Sequence, residues 1–261
     1  ELIKLKSKKI SNIDRLVNII KKLRAPNGCE WDKKQTHESL IPYLIEETYE
    51  VVESIEDKNY KLLKEELGDL LLHVIFQIDI ANDSKEFNLD NVIDGICEKL
   101  IRRHPHIFYD KKDPRYKEEN WEVSKKKEKK RSSVLDGVPK SLPQLIRSSR
   151  IQEKAASVGF DWENKNQVLL KVDEEILELK DAIMKNEGIN EEIGDLLFTI
   201  VNLSRHLGYD AESSLKKSTE KFSRRFKKIE KDLKNKNIQI QDLSLEELDE
   251  IWEKNKYNDK N

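Results

Sequence analysis

A motif that occurs twice constrains this chain more than anything else in it. Glu46-Glu47-Thr48-Tyr49-Glu50 is followed, sixteen residues after Glu50, by Glu66-Leu67-Gly68-Asp69. Glu174-Glu175-Ile176-Leu177-Glu178 is followed, fourteen residues after Glu178, by Glu192-Ile193-Gly194-Asp195. Each version reads as two helices that carry carboxylates and are joined by a short connection. Four oxygen ligands converging from two helices suit a hard divalent cation such as magnesium, and such an ion is at home beside a phosphorylated substrate.

Helical phase sharpens the reading. At about 100° per residue, Leu40, Leu44, Val51, Val52 and Ile55 form one apolar stripe, and Leu63, Leu67, Leu70, Leu71, Val74 and Ile75 form another. Glu46, Glu53 and Asp57 point away from the first stripe, as solvated charges should. Glu47, Glu50, Glu66 and Asp69 instead fall at the stripe margins, where an unpaired carboxylate is costly unless a cation compensates. With 38% of residues charged, one acidic helix face means little. Two copies with matched internal spacing mean much more.

The duplication extends past the acids. Gly28-Cys29-Glu30-Trp31-Asp32 is echoed by Gly159-Phe160-Asp161-Trp162-Glu163, and Asp90 to Arg103 is echoed by Asp210 to Arg225. Trp, carboxylates and an Arg pair thus recur in one order, as expected of one site assembled twice. The halves differ at informative places. Lys171 stands four residues before Glu175, where the first copy has Tyr43 before Glu47. His73 follows Asp69 by one turn where the second copy has Thr199, so it reads as a helix-face histidine rather than a required ligand. A C-terminal tail carries Trp252 and Lys256, which suit stacking a base and pairing a phosphate. Closure of the last helix by a bulky plug accounts for Trp252 equally well.

Eight Gly and six Pro in 261 residues, with abundant Glu, Lys, Leu and Ile, predict an almost wholly helical protein. Helices are expected over 11–24 (capped by Ser11 or Asn12), 38–57, 60–82 and 89–103, the last stopped by Pro105. Pro26-Asn27-Gly28 is a turn, and Thr36-x-x-Ser39 is a helix start. A connecting region of about 116–145 separates a first domain (1–115) from a second (146–261). It includes a helix near Trp121 and Val123 and the basic run Lys125 to Arg131. That run lacks interleaved aromatics and reads as a solvated face, so stable nucleic-acid binding is not expected. Lys plus Arg (49) nearly balance Asp plus Glu (51), which gives no field favouring nucleic acid or membrane. Two cysteines make no disulfide framework, and no apolar run reaches the length of a membrane span. The opening residues carry no signal-peptide core, so a cytoplasmic protein is expected.

These stretches resemble the MazG family of nucleoside triphosphate pyrophosphohydrolases over nearly the whole chain. The resemblance rests on Leu23-Arg24-x-Pro26-x-Gly28-Cys29-x-Trp31-Asp32-x-x-Gln35-Thr36-His37, on both acidic motifs, and on Arg102-Arg103-His104-Pro105-His106. Gly137-Val138-Pro139-x-Ser141-Leu142-Pro143 and Val158-Gly159-Phe160-Asp161-Trp162 extend it into the second half. The family has Cys-Pro-Trp-Asp where this chain has Cys29-Glu30-Trp31-Asp32. A Lys that some members carry before the second acidic helix of the C-terminal copy has no counterpart near Gly188-Ile189. The resemblance implies an all-α fold of tandem MazG-type helical bundles in a homodimer. It also implies Mg²⁺-dependent hydrolysis of NTP or dNTP to monophosphate and pyrophosphate, with Mn²⁺ able to substitute and the C-terminal copy active.

On that footing Glu175, Glu178, Glu192 and Asp195 would hold the metal, and Glu174 or Glu191 would act as general base. Lys171, Lys221, Arg224 and Arg225 would hold phosphates, with Trp252 and Lys256 completing the nucleotide site. Glu47, Glu50, Glu66 and Asp69 retain a full second ligand set. Competing expectations are a non-hydrolytic nucleotide sensor or partner-binding module, and a base-specific dUTP or dCTP pyrophosphatase.

Overall fold

In the computed structural model, residues 11–116 and 132–258 are described, and every regular element among them is a helix. The expected helix at Trp121 and Val123 and the basic run through Arg131 lie outside the described residues. The chain divides into two compact units, Glu1–Lys117 and Glu118–Asn261.

In the first unit α1 (Asn12–Arg24) starts at Ser11, whose hydroxyl accepts from the Asp14 amide at 3.2 Å. That bond satisfies one of the orphan donors every helix start leaves. The turn after α1 brings the Cys29 amide to the Leu23 carbonyl at 2.7 Å. A side chain at Gly28 would collide with the Leu23 and Lys22 carbonyls, so only Gly fits there. Gly28→Ala is therefore expected to cost about 1–3 kcal/mol through forced backbone displacement, measurable as a lower denaturant midpoint with unchanged slope. The short α2 (Glu30–Lys33) follows. Thr36 and Ser39 then exchange backbone-to-hydroxyl bonds at 2.9 and 3.2 Å ahead of α3 (Ile41–Glu56).

Only Asp57, Lys58 and Asn59 separate α3 from α4 (Tyr60–Asp83), so the two fold back as an antiparallel hairpin. Next come α5 (Leu89–Arg103), started by a reciprocal Asn88–Asn91 capping box, and α6 (Pro105–Phe108). Ile20, Leu40, Ile75, Phe76 and Ile78 form the core, with α1 side chains Ile13, Leu16 and Val17 packed against it. Arg24, at the end of α1, ties that helix to α4 through Asp79 and, at 2.8 Å, Asp83.

Here the structure corrects the periodicity reading. Leu40 and Ile75 are buried as expected, but Val52, Ile55, Leu67, Leu71 and Val74 are exposed. Within the first unit α1 covers one side of the α3/α4 hairpin, and those apolar side chains remain exposed. His73, expected on an open helix face, is buried, with Tyr43 stacked on its ring at 6.4 Å.

The second unit repeats the arrangement with α7 (Gln144–Ala156), α8 (Lys165–Lys185), α9 (Ile189–His206), α10 (Ala211–Asn235) and α11 (Leu245–Asn258). Helix α10 runs ten residues past Arg225, because Ile229 and Leu233 continue the apolar stripe and are buried. Asn186 and Gly188, both left-handed, make the tight connection between α8 and α9. Gly188 adopts φ +71°, which Gly reaches without a Cβ clash.

Candidate active site

Both hairpins bring their acids together. In the second unit carboxylate oxygens of Glu175 (α8), Glu192 and Asp195 (α9) lie within 4.8 Å of one another. Glu47 (α3), Glu66 and Asp69 (α4) do the same in the first. Spacing explains why: Glu192 and Asp195 sit one turn apart on one helix and face the acid on the neighbouring one. Burial sets the electrostatics, for the Glu175 side chain is only 6% exposed.

Glu178 and Glu50, the remaining members of each expected quartet, stand outside these tight triads. Glu178 is half exposed with an oxygen 3.9 Å from Lys171 Nζ, yet close enough to act on Glu192. Glu50 lies beside Glu66 and, through repulsion and a shared hydrogen bond, helps raise its pKa.

Lys171 is the main difference between the two centres. Its ammonium lies 2.7 Å from Glu175 and 2.9 Å from Glu174, and those hydrogen bonds push its pKa well above the ordinary lysine value. The C-terminal triad therefore already contains one fixed positive charge. Tyr43 occupies the matching place in the first unit, between His73 and the edge of Trp31 at 5.8 Å. There the carboxylates repel one another. Burial, then Asp69, Glu50 and Glu66, raise Glu47, and one of its oxygens is buried with no hydrogen-bond partner. Burial pushes the neighbouring His73 imidazole down, against an upward pull from Asp69.

A donor set of converging, mutually repelling carboxylates with an orphaned buried oxygen fits a hard divalent cation. The repulsion has a consequence for stability. Burial, then Glu178, Asp195 and Glu175, raise Glu192 above its ordinary 4.5. Folding thus favours the protonated form, and this contribution is present below pH 4.5 and lost as pH rises through the folded value. Glu192→Gln should accordingly gain melting temperature relative to wild type as pH rises from 4.5. Saturating Mg²⁺ should restore the advantage to wild type, a crossing that scanning calorimetry can follow.

The remaining expected residues are dispersed. Glu174 is tied to Lys171, and Glu191 is exposed in the first turn of α9. Lys221 and Arg224 are exposed on α10, without an ion pair to the triad among the described residues. Arg225 places its guanidinium 5.9 Å from the Trp252 ring centre, and Phe222 lies 5.0 Å from the same ring. Trp252 thus closes the α10/α11 pair, and Lys256 bonds to Glu253 at 2.9 Å.

One group escaped sequence reasoning. Asp161 accepts hydrogen bonds from Arg205 and His206, at the far end of α9. Burial raises the Asp161 carboxyl, but those bonds outweigh it and hold the group below its usual range. Beside it opens a cavity of about 440 Å³, with Gln152, Trp162, Phe198 and Asn202 among its walls. The motif Gly159-Phe160-Asp161-Trp162 supplies one wall, but Gln152, Phe198, Asn202 and Arg205 join it only through helix packing, which no spacing in the sequence announces.

Tandem all-α units, each presenting a carboxylate triad on a helical hairpin, define a helical protein with a duplicated acidic centre. The model of the MazG nucleotide pyrophosphohydrolase domain matches residues 35–108 and 163–229, one span per hairpin. A nucleoside triphosphate pyrophosphohydrolase/pyrophosphatase MazG of Thermotoga maritima is 50% identical over 248 residues, covering 94% of this chain and 96% of that protein. A nucleoside triphosphate pyrophosphohydrolase of Escherichia coli strain K12 is 42% identical over 254 residues, covering 94% and 97%. The chain belongs to the MazG family.

Proposed function

We propose that this protein hydrolyses nucleoside triphosphates, ribo- and deoxyribo-, to monophosphate and pyrophosphate, and that its C-terminal unit does the chemistry. The carrying observation is the triad Glu175, Glu192 and Asp195 with Lys171 in contact. The names borne by the Thermotoga maritima and Escherichia coli relatives support the same reaction. The triad, with Glu178 alongside, would hold Mg²⁺, or Mn²⁺ in its place. The bound ion supplies charge neutralisation at the triphosphate oxygens and Lewis acidity at the phosphorus under attack.

The chain's own groups do the rest. Glu175 and Lys171 hold one another in register, so the ammonium stands ready beside the phosphates. Lys221, Arg224 and Arg225 add positive charge from α10, with Trp252 fixing Arg225 by a cation–π contact. Glu174 shares its oxygen with Lys171, whereas Glu191 has no such partner among the described residues and would take the proton of the attacking water.

The exposed apolar residues of both hairpins support a homodimer, and two exposed free cysteines fit a reducing, cytoplasmic setting. Control or cleansing of the nucleotide pool is the role that follows from such a reaction.

Incubating the full chain with each NTP and Mg²⁺, then resolving monophosphate, diphosphate, pyrophosphate and phosphate, tests the reaction. Monophosphate plus pyrophosphate is expected. Diphosphate plus phosphate would place the cut at another bond, and no product would favour a nucleotide-binding module. Turnover of dUTP or dCTP alone would mark a base-specific pyrophosphatase. Glu47, Glu66 and Asp69 are proposed to bind a second ion, with Glu50 beside them. Calorimetric titration of Mn²⁺ into the full chain carrying Glu175→Gln and Glu192→Gln should still show one site, lost on adding Glu66→Gln.

A further inference from the structure

We infer that the solvent face of α10 is a docking strip for the phosphate backbone of a single-stranded nucleic acid. Nine Lys and Arg against four Asp and Glu give this helix a net charge of +5, in a chain whose total is −2. Helical phase concentrates that charge. At about 100° per residue, Lys217, Lys221, Arg224, Lys228 and Lys231 fall within an arc of about 80°, and all five are exposed. At about 1.5 Å rise per residue the row runs roughly 21 Å. No acid stands inside the arc. Asp232 lies at one border, and Glu220, at the other, reaches to Lys216 at 3.9 Å. None of the five makes an ion pair among the described residues.

The neighbouring face shows what ordinary solvation looks like. There Lys216, Lys227 and Lys234 alternate with Glu212, Glu220 and Glu230, cations and anions in equal number. The bare row is different, because its members repel one another at spacings of three and four residues and weaken the helix that carries them. A polyanion laid along the row removes that repulsion. Ile229 and Leu233, on the opposite side, are buried, and Phe222 and Phe226 share that side by helical phase. A membrane-surface helix would need its apolar side free for lipid, and a protein partner would need apolar or aromatic groups at the centre of the contact. The row offers neither, whereas charge alone is what a phosphate backbone requires. Its width of one residue suits one strand. It holds no aromatic ring on which a base could stack, so binding is expected to be independent of sequence. Overall charge balance argued against stable nucleic-acid binding, and the contact expected here is accordingly weak and salt-sensitive.

The test leaves Lys221 and Arg224, assigned above to the triphosphate, in place, so it does not depend on the hydrolase reading. The full chain is titrated, without divalent ions, against a 3′-labelled oligouridylate of about 20 nucleotides with a 5′-hydroxyl, and anisotropy is read. Affinity should fall about a hundredfold between 50 and 200 mM salt, a log–log slope of about −3.5 for five contacts to a single strand. Lys217→Gln, Lys228→Gln and Lys231→Gln together should weaken binding at low salt about tenfold or more and bring the slope to about −1.4. Lys216→Gln, Lys227→Gln and Lys234→Gln together remove the same charge from the neighbouring face and should weaken it less than about threefold. Gln is a good helix former at exposed positions, and calorimetric melting confirms that both variants are folded. Equal losses in the two variants would show that net charge alone attracts the strand and would overturn the docking strip. Absence of binding by wild type at low salt would do the same. Complete displacement by ATP at constant ionic strength would place the strand at the nucleotide site, and tighter binding of a duplex would remove the single-strand assignment.

Discussion

Glu175→Gln is expected to lower pyrophosphate release by about a thousandfold, equivalent to roughly 4 kcal/mol of lost transition-state stabilisation. Gln keeps the shape of the side chain but removes the charge at the most enclosed member of the triad. It also frees Lys171 from its 2.7 Å partner. Folding should not suffer, because the substitution relieves repulsion with Glu192; the melting temperature should hold or rise. Retention of wild-type turnover would show that the chemistry lies elsewhere. Glu178→Gln is the companion measurement. Loss of activity there as well would show that the outlying fourth carboxylate moves in to serve the same centre, and full activity would remove it from the ligand set.

The second large effect is on stability. Arg24→Met should destabilise the first unit by about 3–5 kcal/mol, since it leaves a buried carboxylate without its partner. Side-chain exposures of 10% for Arg24 and 7% for Asp79 mean that water replaces little of the lost interaction. The guanidinium also lies 5.5 Å from the Phe76 ring centre, at the core. Combining Arg24→Met with Asp79→Leu should recover much of the loss, because it removes the stranded charge. Equilibrium urea unfolding distinguishes the outcomes. A single variant as stable as wild type would show that the pair contributes nothing.

Much of the fold was legible because helices are written locally. The interval 89–103 was read with Pro105 as its stop, and α5 occupies those positions. The echo of Asp90 to Arg103 in Asp210 to Arg225 does not show where α10 ends, since Ile229 and Leu233 carry its apolar stripe on to Asn235. Within the acidic centres, the members that converge were all named beforehand. Spacing on a single helix decides whether Glu192 and Asp195 share a face, and the duplication showed which face matters. The outward position of Glu178 was not legible, since at the end of a stripe a small helix rotation separates a ligand from a neighbour. The pairing of Lys171 with Glu175 could have been read from its four-residue spacing.

Sequence by itself determined the long helices of the first unit and the acids that meet across each hairpin, for these follow from periodicity and from interactions within a turn or two. Tertiary structure decided which apolar residues are covered, why His73 is buried, and that Gln152, Asp161 and Arg205 gather around one cavity. Those outcomes depend on where a distant helix comes to rest, and the energy of that packing is spread over many weak contacts that no single motif encodes.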